Sequence, residues 1–224
     1  MTGLGEIAPG DDLASLIAAE VTLEAGDVVV VTQKIVSKAE GRLVSVDPDD
    51  ADQRRALAES EAVRVLRRRG DLVITETAHG FVCANSGVDL SNVANGWAAL
   101  LPVDPDRSAR RIRDGLRART GVEVGVVISD TFGRAWRRGV TDVAIGCAGV
   151  VAVVDLRGSL DALGRELVGT EVCVVDEIAA AAELVMGKAR GVPVAVVRGV
   201  DPAWLGSGAV ASDVVRPYGE DLFR

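Results

Sequence analysis

The chain has 224 residues, 48% of them hydrophobic and 26% charged, which is typical of a folded globular protein rather than a disordered one. The formal net charge of −8 argues against a broad nucleic-acid-binding surface, and an aromatic content of 3% argues against a base-stacking platform. The first residues lack the basic and apolar regions of a signal peptide, and no apolar run is long enough for a membrane span. Three dispersed cysteines without a C-x-x-C pair predict a reduced, cytoplasmic protein.

Val-rich apolar runs bounded by turn residues recur along the chain and predict strands buried on both faces. They cover residues 27–32, 71–75, 122–129, 149–155, 171–175 and 192–197. Helices are predicted over residues 49–69, from residue 104 to Gly121, and from residue 176 to Lys188. The predicted class is α/β or α+β with buried mixed sheets. Residues 1–224 are expected to form a single domain or two interlocked subdomains.

Several common catalytic and nucleotide-binding motifs are missing. His79 is the only histidine and lies in a loop-like stretch, and no G-x-S-x-G motif accompanies it, which argues against a Ser-His-Asp or Cys-His enzyme. No P-loop motif is present. A G-x-G-x-x-A stretch at residues 206–211 does not follow a clear strand, so a Rossmann site is disfavoured.

After these exclusions, the remaining candidate is a site built from carboxylate and hydroxyl oxygens. Asp130 and Thr131 stand where the run 122–129 stops, and Asp89 lies in the Asn-, Ser- and Gly-rich stretch 79–93. Carboxylate and hydroxyl oxygens suit Mg²⁺ or Mn²⁺, and ligands commonly bind at strand ends in α/β sheets. The neighbouring Arg134 and Arg137 could bind phosphate or carboxylate groups. Alternatively, Asp130 caps the next segment and the arginines form surface ion pairs; this stretch alone does not decide between the two.

A second basic stretch follows the first strand. Lys34, Lys38 and Arg42 recur every four residues, so on a helix they share one face. That face could hold phosphates, although a solvated basic face is favoured on this pattern alone.

Five stretches together resemble one family, in order and at similar separations. They are GDVVVVTQKIVSKAEGRLV, SGVDLSNV, LLPVDPDRSARRIRDGLR, VVISDTFGRAWRRGVTDVAIGCAG and TEVCVVDEIAAAAELVMGKA. They resemble the coenzyme F420-0:L-glutamate ligases, the gamma-glutamyl ligases of deazaflavin coenzyme maturation. The most specific element is the D-T-x-G-R-x-W-R-x-G block that begins at Asp130.

The resemblance implies a fold, a reaction and a set of cofactors. The fold is a family-specific α/β arrangement that forms an intertwined homodimer, here as the ligase module without a nitroreductase-like domain. The reaction joins L-glutamate to F420-0 and then to the gamma-carboxylate of the added glutamate, with GTP as co-substrate and an acyl phosphate as intermediate. The implied cofactors are Mg²⁺ or Mn²⁺, two per site, and K⁺.

The resemblance also implies roles for individual residues. Divalent metal ligands are Asp89, Asp130 and Thr131, and GTP-contacting residues are Leu4, Gly5, Glu6, Ile7, Gln33, Lys38 and Asn92. The loop 199–208 is expected to approach the nucleotide. Asp130, Arg134 and Arg137 are the expected catalytic residues, and Trp136 is expected to pack in the core. Two alternatives stay open: a related amide ligase with a different acceptor, and a non-catalytic module that binds a phosphorylated deazaflavin or nucleotide.

Overall fold

The protein alternates short helices and strands, and the structure, a computed structural model, describes residues 1–221. The helices are α1 (Leu13–Glu20), α2 (Gln33–Ala39), α3 (Ala51–Ser60), α4 (Pro105–Thr120), α5 (Val174–Met186) and α6 (Val210–Asp213). The strands are β1 (Val28–Thr32), β2 (Leu43–Ser45), β3 (Ala62–Arg69), β4 (Leu72–Thr77), β5 (Val82–Ala84), β6 (Trp97–Ala99), β7 (Gly125–Gly133), β8 (Val140–Ala148), β9 (Val153–Asp155), β10 (Glu171–Cys173) and β11 (Val194–Val197). The predicted mixed α and β class is confirmed.

The main sheet has the strand order β11-β1-β7-β8. β1 pairs in parallel with β7, whereas β11 and β8 are antiparallel to their neighbours, so the sheet is mixed. Residues 28–31 of β1 are completely buried, which explains why this run is continuously apolar rather than alternating. The other strands form a three-stranded sheet, β3-β4-β5, and two small pairs, β2-β6 and β10-β9.

Helices α4 and α5 pack against β7 and β8. Asp104 caps α4 by accepting a hydrogen bond from the Arg107 backbone N–H, and Gly121 ends the helix with a φ of 70°. Ile112 and Leu116 are buried on one face, as their spacing predicts. On β8, a Cβ added at Gly146 would lie 2.4 Å from the carbonyl carbon of Pro105, so only glycine lets α4 approach this closely.

The helix predicted over residues 49–69 is wrong in its second half. The helix ends at Ser60, and β3 follows at once, pairing antiparallel with β4. Val63 and Val65 of β3 flank Arg64, and this short apolar–polar alternation has the two-residue period of a strand. The runs 149–155 and 171–175 are strands only in part. In the first run only β9 is a strand, and it pairs with β10 of the second run, where the helix α5 begins at Val174.

The stretch around Asp130 and Thr131 also differs from expectation. These residues do not end the strand: β7 continues to Gly133, because Asp130 and Thr131 pair with Val143 and Asp142 of β8 in an antiparallel ladder. Trp136 lies in the connection between the two strands with 82% of its surface exposed, so the expectation that it packs in the core is wrong.

The cysteines and the lengths of the helices complete the description of the fold. Cys83 and Cys147 are buried free thiols and Cys173 is a partly buried one, and burial raises the pKa of each to about 12. No helix within residues 1–221 combines the length and the apolarity needed to cross a membrane.

Leucine-to-alanine substitutions on two helices provide a test of the core. Leu116→Ala in α4 removes a fully buried side chain, so we expect the free energy of unfolding to fall by about 2–5 kcal/mol. Leu184→Ala in α5 changes a side chain that is 80% exposed and should cost less than about 0.5 kcal/mol. Urea denaturation followed by circular dichroism measures both. Equal losses for the two variants would contradict the described packing of α4.

Candidate functional site

A cavity of about 680 Å³ opens at the carboxyl end of β1. Thr32, the last residue of β1, pairs with Ser129 of β7, and both line the cavity. Other lining residues come from segments 4–7, 33–38, 89–94 and 187–193 and from Asp142. This is the edge of a sheet with parallel strands where ligands usually bind. Segments far apart in the chain therefore meet in one place.

The cavity collects most of the residues that the sequence singled out. All three expected metal ligands and all seven expected nucleotide-contacting residues line it: Asp89, Asp130, Thr131, Leu4, Gly5, Glu6, Ile7, Gln33, Lys38 and Asn92. A second cavity, of about 460 Å³ between α1 and α4, contains none of them. The resemblance implies that these residues share one site, and the larger cavity, which all of them line, is therefore the candidate site.

Asp89 is held by cations and backbone donors. The Lys34 ammonium lies 2.6 Å from its Oδ2 atom, and the Ser91 backbone N–H donates to Oδ1 at 2.7 Å. Burial raises the pKa of Asp89, but Lys34 and Ser91 outweigh it, so the pKa lies below its ordinary value. For Lys34 the balance is the opposite, since burial lowers its pKa more than Asp89 raises it. Asp89 is thus a charged carboxylate facing the cavity.

Asp130 experiences a different environment. Burial raises the pKa of its carboxyl group to about 7, and the negative charges of Asp89 and Asp142 act in the same direction. The Thr131 backbone N–H, which donates to Asp130 Oδ1 at 2.8 Å, and the charge of Lys188 compensate only in part. A carboxylate crowded by other carboxylates in a buried position is stabilised by an added cation.

Asp142 orients the hydroxyl groups beside Asp130. It is 2% exposed and lies opposite Thr131 in the β7–β8 ladder. Ser129 Oγ donates to its Oδ2 and Thr131 Oγ1 donates to its Oδ1, each at 2.8 Å. Because the Thr131 hydroxyl donates its hydrogen bond to Asp142, the lone pairs of the Thr131 oxygen stay available for a cation or a donor. The Lys188 ammonium uses one of them at 3.2 Å.

The nucleotide-contacting residues differ in how far their side chains are available. Lys38, with a side chain only 8% exposed, forms an ion pair with Glu6 at the cavity wall. Gln33 uses its amide nitrogen inside the protein, donating to Ser37 Oγ at 2.7 Å and to the Leu100 carbonyl at 3.0 Å. Asn92 is exposed and has a φ of 52°. Lys38 and Asn92 are therefore better placed than Gln33 to donate to a ligand.

Other residues that were expected at the site lie outside the cavity. Arg134 and Arg137 are exposed in the connection between β7 and β8 and do not line it. No residue of the loop 199–208 lines it either; the segment 187–193 does so instead. Arg42, which shares the four-residue spacing of Lys34 and Lys38, is bound to Glu61 at 2.8 Å and to the Leu101 carbonyl.

Comparison with known proteins identifies the family. The sequence profile of the F420-0:Gamma-glutamyl ligase family matches residues 3–199. The chain belongs to the F420-0:gamma-glutamyl ligase family. Relatives named coenzyme F420:L-glutamate ligase include those of Methanopyrus kandleri, 44% identical over 98% of this chain and 94% of the relative, and Archaeoglobus fulgidus, 42% identical over 99% and 94%. The relative from Methanothermobacter thermautotrophicus is 41% identical over 99% and 96%.

The site of this F420-0:gamma-glutamyl ligase family member suits a hard divalent cation. Asp89, Asp130 and Thr131 offer two carboxylates and an oriented hydroxyl, the oxygen donors that Mg²⁺ and Mn²⁺ prefer. Among residues 1–221 no group of three acidic, histidine or cysteine side chains could hold an ion by itself. Mg²⁺ typically binds through one or two carboxylates and completes its shell with water and substrate phosphates, so the donor set fits.

Two residues of this site, Asp142 and Lys188, have no site role predicted from the sequence. Lys34 belongs to the basic face that could hold phosphates. Asp142 sits in the D-T-x-G-R hairpin, and its alignment with Thr131 could have been found by folding that hairpin about its glycines. Lys188 was read as a basic residue near the end of a helix. Nothing in the sequence pattern points to its contact with Thr131.

The affinity for Mn²⁺ tests the proposed role of Asp142 in orienting the hydroxyl groups. Asp142→Asn keeps the size of the side chain but removes the carboxylate that accepts both hydroxyl protons. We expect Mn²⁺ affinity to fall by about 10–100-fold, because losing a group that orients a ligand has this effect in metal sites. Isothermal titration with Mn²⁺ measures it. Asp114→Asn, at an exposed carboxylate on α4, is the control and should bind as the unaltered protein does; equal affinities for all three proteins would refute the orienting role.

Proposed function

We propose that the protein is a GTP-dependent ligase that adds L-glutamate to coenzyme F420-0 and then, through a gamma-linkage, to the F420-1 so formed. The observation that carries this proposal is the shared cavity of Asp89, Asp130 and Thr131 with three lysines, Lys34, Lys38 and Lys188. Membership of the F420-0:gamma-glutamyl ligase family supports the choice of substrates.

Charge supports a phosphorylated co-substrate. The chain carries a net charge of −8, and three lysine ammonium groups line this cavity beside four carboxylates, those of Glu6, Asp89, Asp130 and Asp142. Lysine ammonium groups act as point charges that bind phosphates. A volume of about 680 Å³ lies within the range of small-molecule sites, roughly 300–1,000 Å³. The proposal of GTP rather than another nucleoside triphosphate rests on the family resemblance.

A divalent cation, Mg²⁺ or Mn²⁺, is proposed to bind at Asp89, Asp130 and Thr131, where it neutralises the charge that develops on transferred phosphate. Lys34 holds the Asp89 carboxylate in place, and Asp142, which also accepts from Ser129, orients the Thr131 hydroxyl. K⁺ is proposed as an additional monovalent activator on the family resemblance alone.

The proposed reaction has two steps. In the first, a carboxylate oxygen of the acceptor forms a bond to the γ-phosphorus of GTP, the bond to the β-phosphate oxygen breaks, and GDP leaves. In the second, the glutamate amine attacks the carbonyl carbon of the acyl phosphate, phosphate leaves with the bonding electrons, and the amine loses a proton. No protein nucleophile is required. The side chains of the cavity hold the reactants together and stabilise negative charge, which is how phosphoryl-transfer enzymes usually act.

A homodimer is proposed to complete the site. Trp136 and Val140 at the end of the β7–β8 hairpin, and Leu163 and Val168 in the connection between β9 and β10, are apolar side chains more than 60% exposed. Contact with a second copy would cover them. Arg134 and Arg137 lie beside Trp136, and they are proposed to bind acidic groups of the substrates in the assembled dimer.

The ligase proposal predicts products of defined mass. Protein incubated with F420-0, L-glutamate, Mn²⁺, K⁺ and GTP should give products heavier by one and two glutamate residues in mass spectrometry, and ATP should give far less. Asp130→Asn replaces a metal-binding carboxylate, so we expect it to reduce the turnover number by at least about 100-fold at limiting Mn²⁺.

Two results would refute parts of this proposal. Bound but unaltered F420-0 would favour a binding module, and glutamylation of another acid in place of F420-0 would favour a related amide ligase. A folded Asp130→Asn variant with full activity at limiting Mn²⁺ would show that Asp130 does not bind the metal. Asp114→Asn, which changes an exposed carboxylate of α4 away from the cavity, is the matched control.

The hairpin end provides a separate prediction. Trp136→Ser should raise the dimer dissociation constant by at least about tenfold, because tryptophans buried at an interface often dominate its binding energy.

The Arg134→Ala and Arg137→Ala variants should sediment as the unaltered protein does, while KM for GTP or F420-0 rises more than kcat falls. Analytical ultracentrifugation and steady-state kinetics measure the two effects. Leu184→Ser, an exposed apolar change on α5, is the control. A monomeric unaltered protein, or arginine variants with unchanged kinetics, would contradict this assignment.

A further inference from the structure

A third cavity, of about 260 Å³, has mainly apolar walls. Its lining residues come from the connection before β5, from the β7–β8 hairpin, from the first turn of α5 and from the segment that includes α6. Asp176 adds a carboxylate to the wall and Arg216 adds a guanidinium group. An apolar cavity with a few polar groups is the common form of a small-molecule site, because the apolar surface binds and the polar groups orient the ligand.

The few aromatic side chains of the chain concentrate at this cavity. Aromatic residues are only 3% of the sequence, yet both phenylalanines within residues 1–221, Phe81 and Phe132, line the cavity. Their ring centroids are 6.2 Å apart in an edge-to-face contact. His79 stacks on Phe81 with a centroid distance of 5.4 Å, and its Nε2 atom lies 2.9 Å from the Pro102 carbonyl oxygen. The rings are therefore held in place before a ligand binds, which lowers the entropic cost of binding.

The third cavity adjoins the oxygen cluster of the candidate site. Phe132 follows Asp130 by two residues on β7, so the two side chains lie on the same face of the strand, about 7 Å apart along it. Asp130 also pairs with Val143 of β8, and Asp130 lines the larger cavity whereas Val143 lines the third. β5, which follows Phe81, packs against β7 and leads into the turn before Asp89. The same two segments thus carry the aromatic rings and the carboxylates.

The proposed acceptor needs a place beside the nucleotide. All seven expected GTP-contacting residues line the larger cavity, so the nucleotide with its phosphates and the divalent cation belongs there. The acceptor has to bring its carboxylate to the γ-phosphate, but its deazaflavin ring is flat and largely apolar. Such a ring is stabilised by stacking on aromatic side chains. The third cavity offers these side chains next to Asp130.

We propose that the third cavity binds the deazaflavin ring of the acceptor against Phe81 and Phe132, with Asp176 facing a polar edge of the ring. The inference rests on the proposed ligase function and adds the position of the acceptor to it. Phe132 is a specificity-determining residue in this arrangement. It holds the ring so that the phosphorylated side chain of the acceptor extends along the hairpin towards Asp130 and the γ-phosphate.

The binding of 5-deazariboflavin tests this inference, because this compound has the ring system but neither a phosphate nor the reacting carboxylate. Isothermal titration measures its affinity for the full chain without nucleotide or metal. Phe132→Ala removes one aromatic wall, and Val82→Trp fills the cavity from a side chain that is 40% exposed. We expect each variant to weaken binding by at least about tenfold and to raise KM for F420-0 more than it lowers kcat. Val63→Trp, the same change at an exposed position of β3 outside the cavity, should bind as the unaltered protein does.

Nucleotide binding distinguishes a local effect from a general one. The affinity for guanosine 5′-(β,γ-imido)triphosphate with Mn²⁺ should be unchanged in both variants, and an equal loss for both ligands would overturn the inference. So would a failure of the unaltered protein to bind 5-deazariboflavin, or unchanged binding in both variants. Val82→Trp, at an exposed side chain, keeps the test decisive if Phe132→Ala does not fold.

Ligation is assayed separately by mass spectrometry. Binding of 5-deazariboflavin that both variants weaken, without glutamylated product from F420-0, would refute the proposed function but not the ring site. Full ligation with an unchanged KM for F420-0 in both variants would refute the ring site but not the proposed function.

Discussion

The parallel pairing of β1 with β7 is the constraint on which the site depends. It buries residues 28–31 completely and aligns Thr32 with Ser129, so that the start of α2 and the Asp130–Thr131 pair meet at one edge of the sheet. A slip of one residue would turn the apolar side chains of a strand to the opposite face. The packing of the core and the position of the polar cluster are therefore set by the same register.

The cluster itself is a case of local charge compensation in an acidic protein. Its carboxylates come from the loop around Asp89 and from the β7–β8 hairpin, whereas its ammonium groups come from α2 and from the segment after α5. None of these elements forms the cluster alone. Removing one lysine leaves a partly buried carboxylate without its partner, which costs more than an exposed ion pair contributes.

The sequence predicted the mixed class, the buried valine strands and most of the cavity lining, because these depend on local patterns and on motifs of the family. It did not predict the roles of Asp142 and Lys188, which depend on cross-strand register and on how α5 ends. The prediction of a helix over residues 49–69 was wrong in its second half, because the many charged residues make the change from a helical to a strand pattern at Ala62 difficult to recognise. The pairing of β7 with β8 beyond Thr131 was not predicted for a similar reason, since the polar residues of this hairpin resemble those of a loop.

The exposure of Trp136 has a consequence for spectroscopy. Of the three tryptophans, Trp136 and Trp97 are exposed, whereas Trp204 is partly buried and packs against the hydrophobic core. Intrinsic fluorescence of this protein therefore combines two signals from the surface with one from the edge of the core. A change in the emission of Trp136 on dilution would report on the end of the hairpin, whereas a change in the emission of Trp204 would report on the packing of the core.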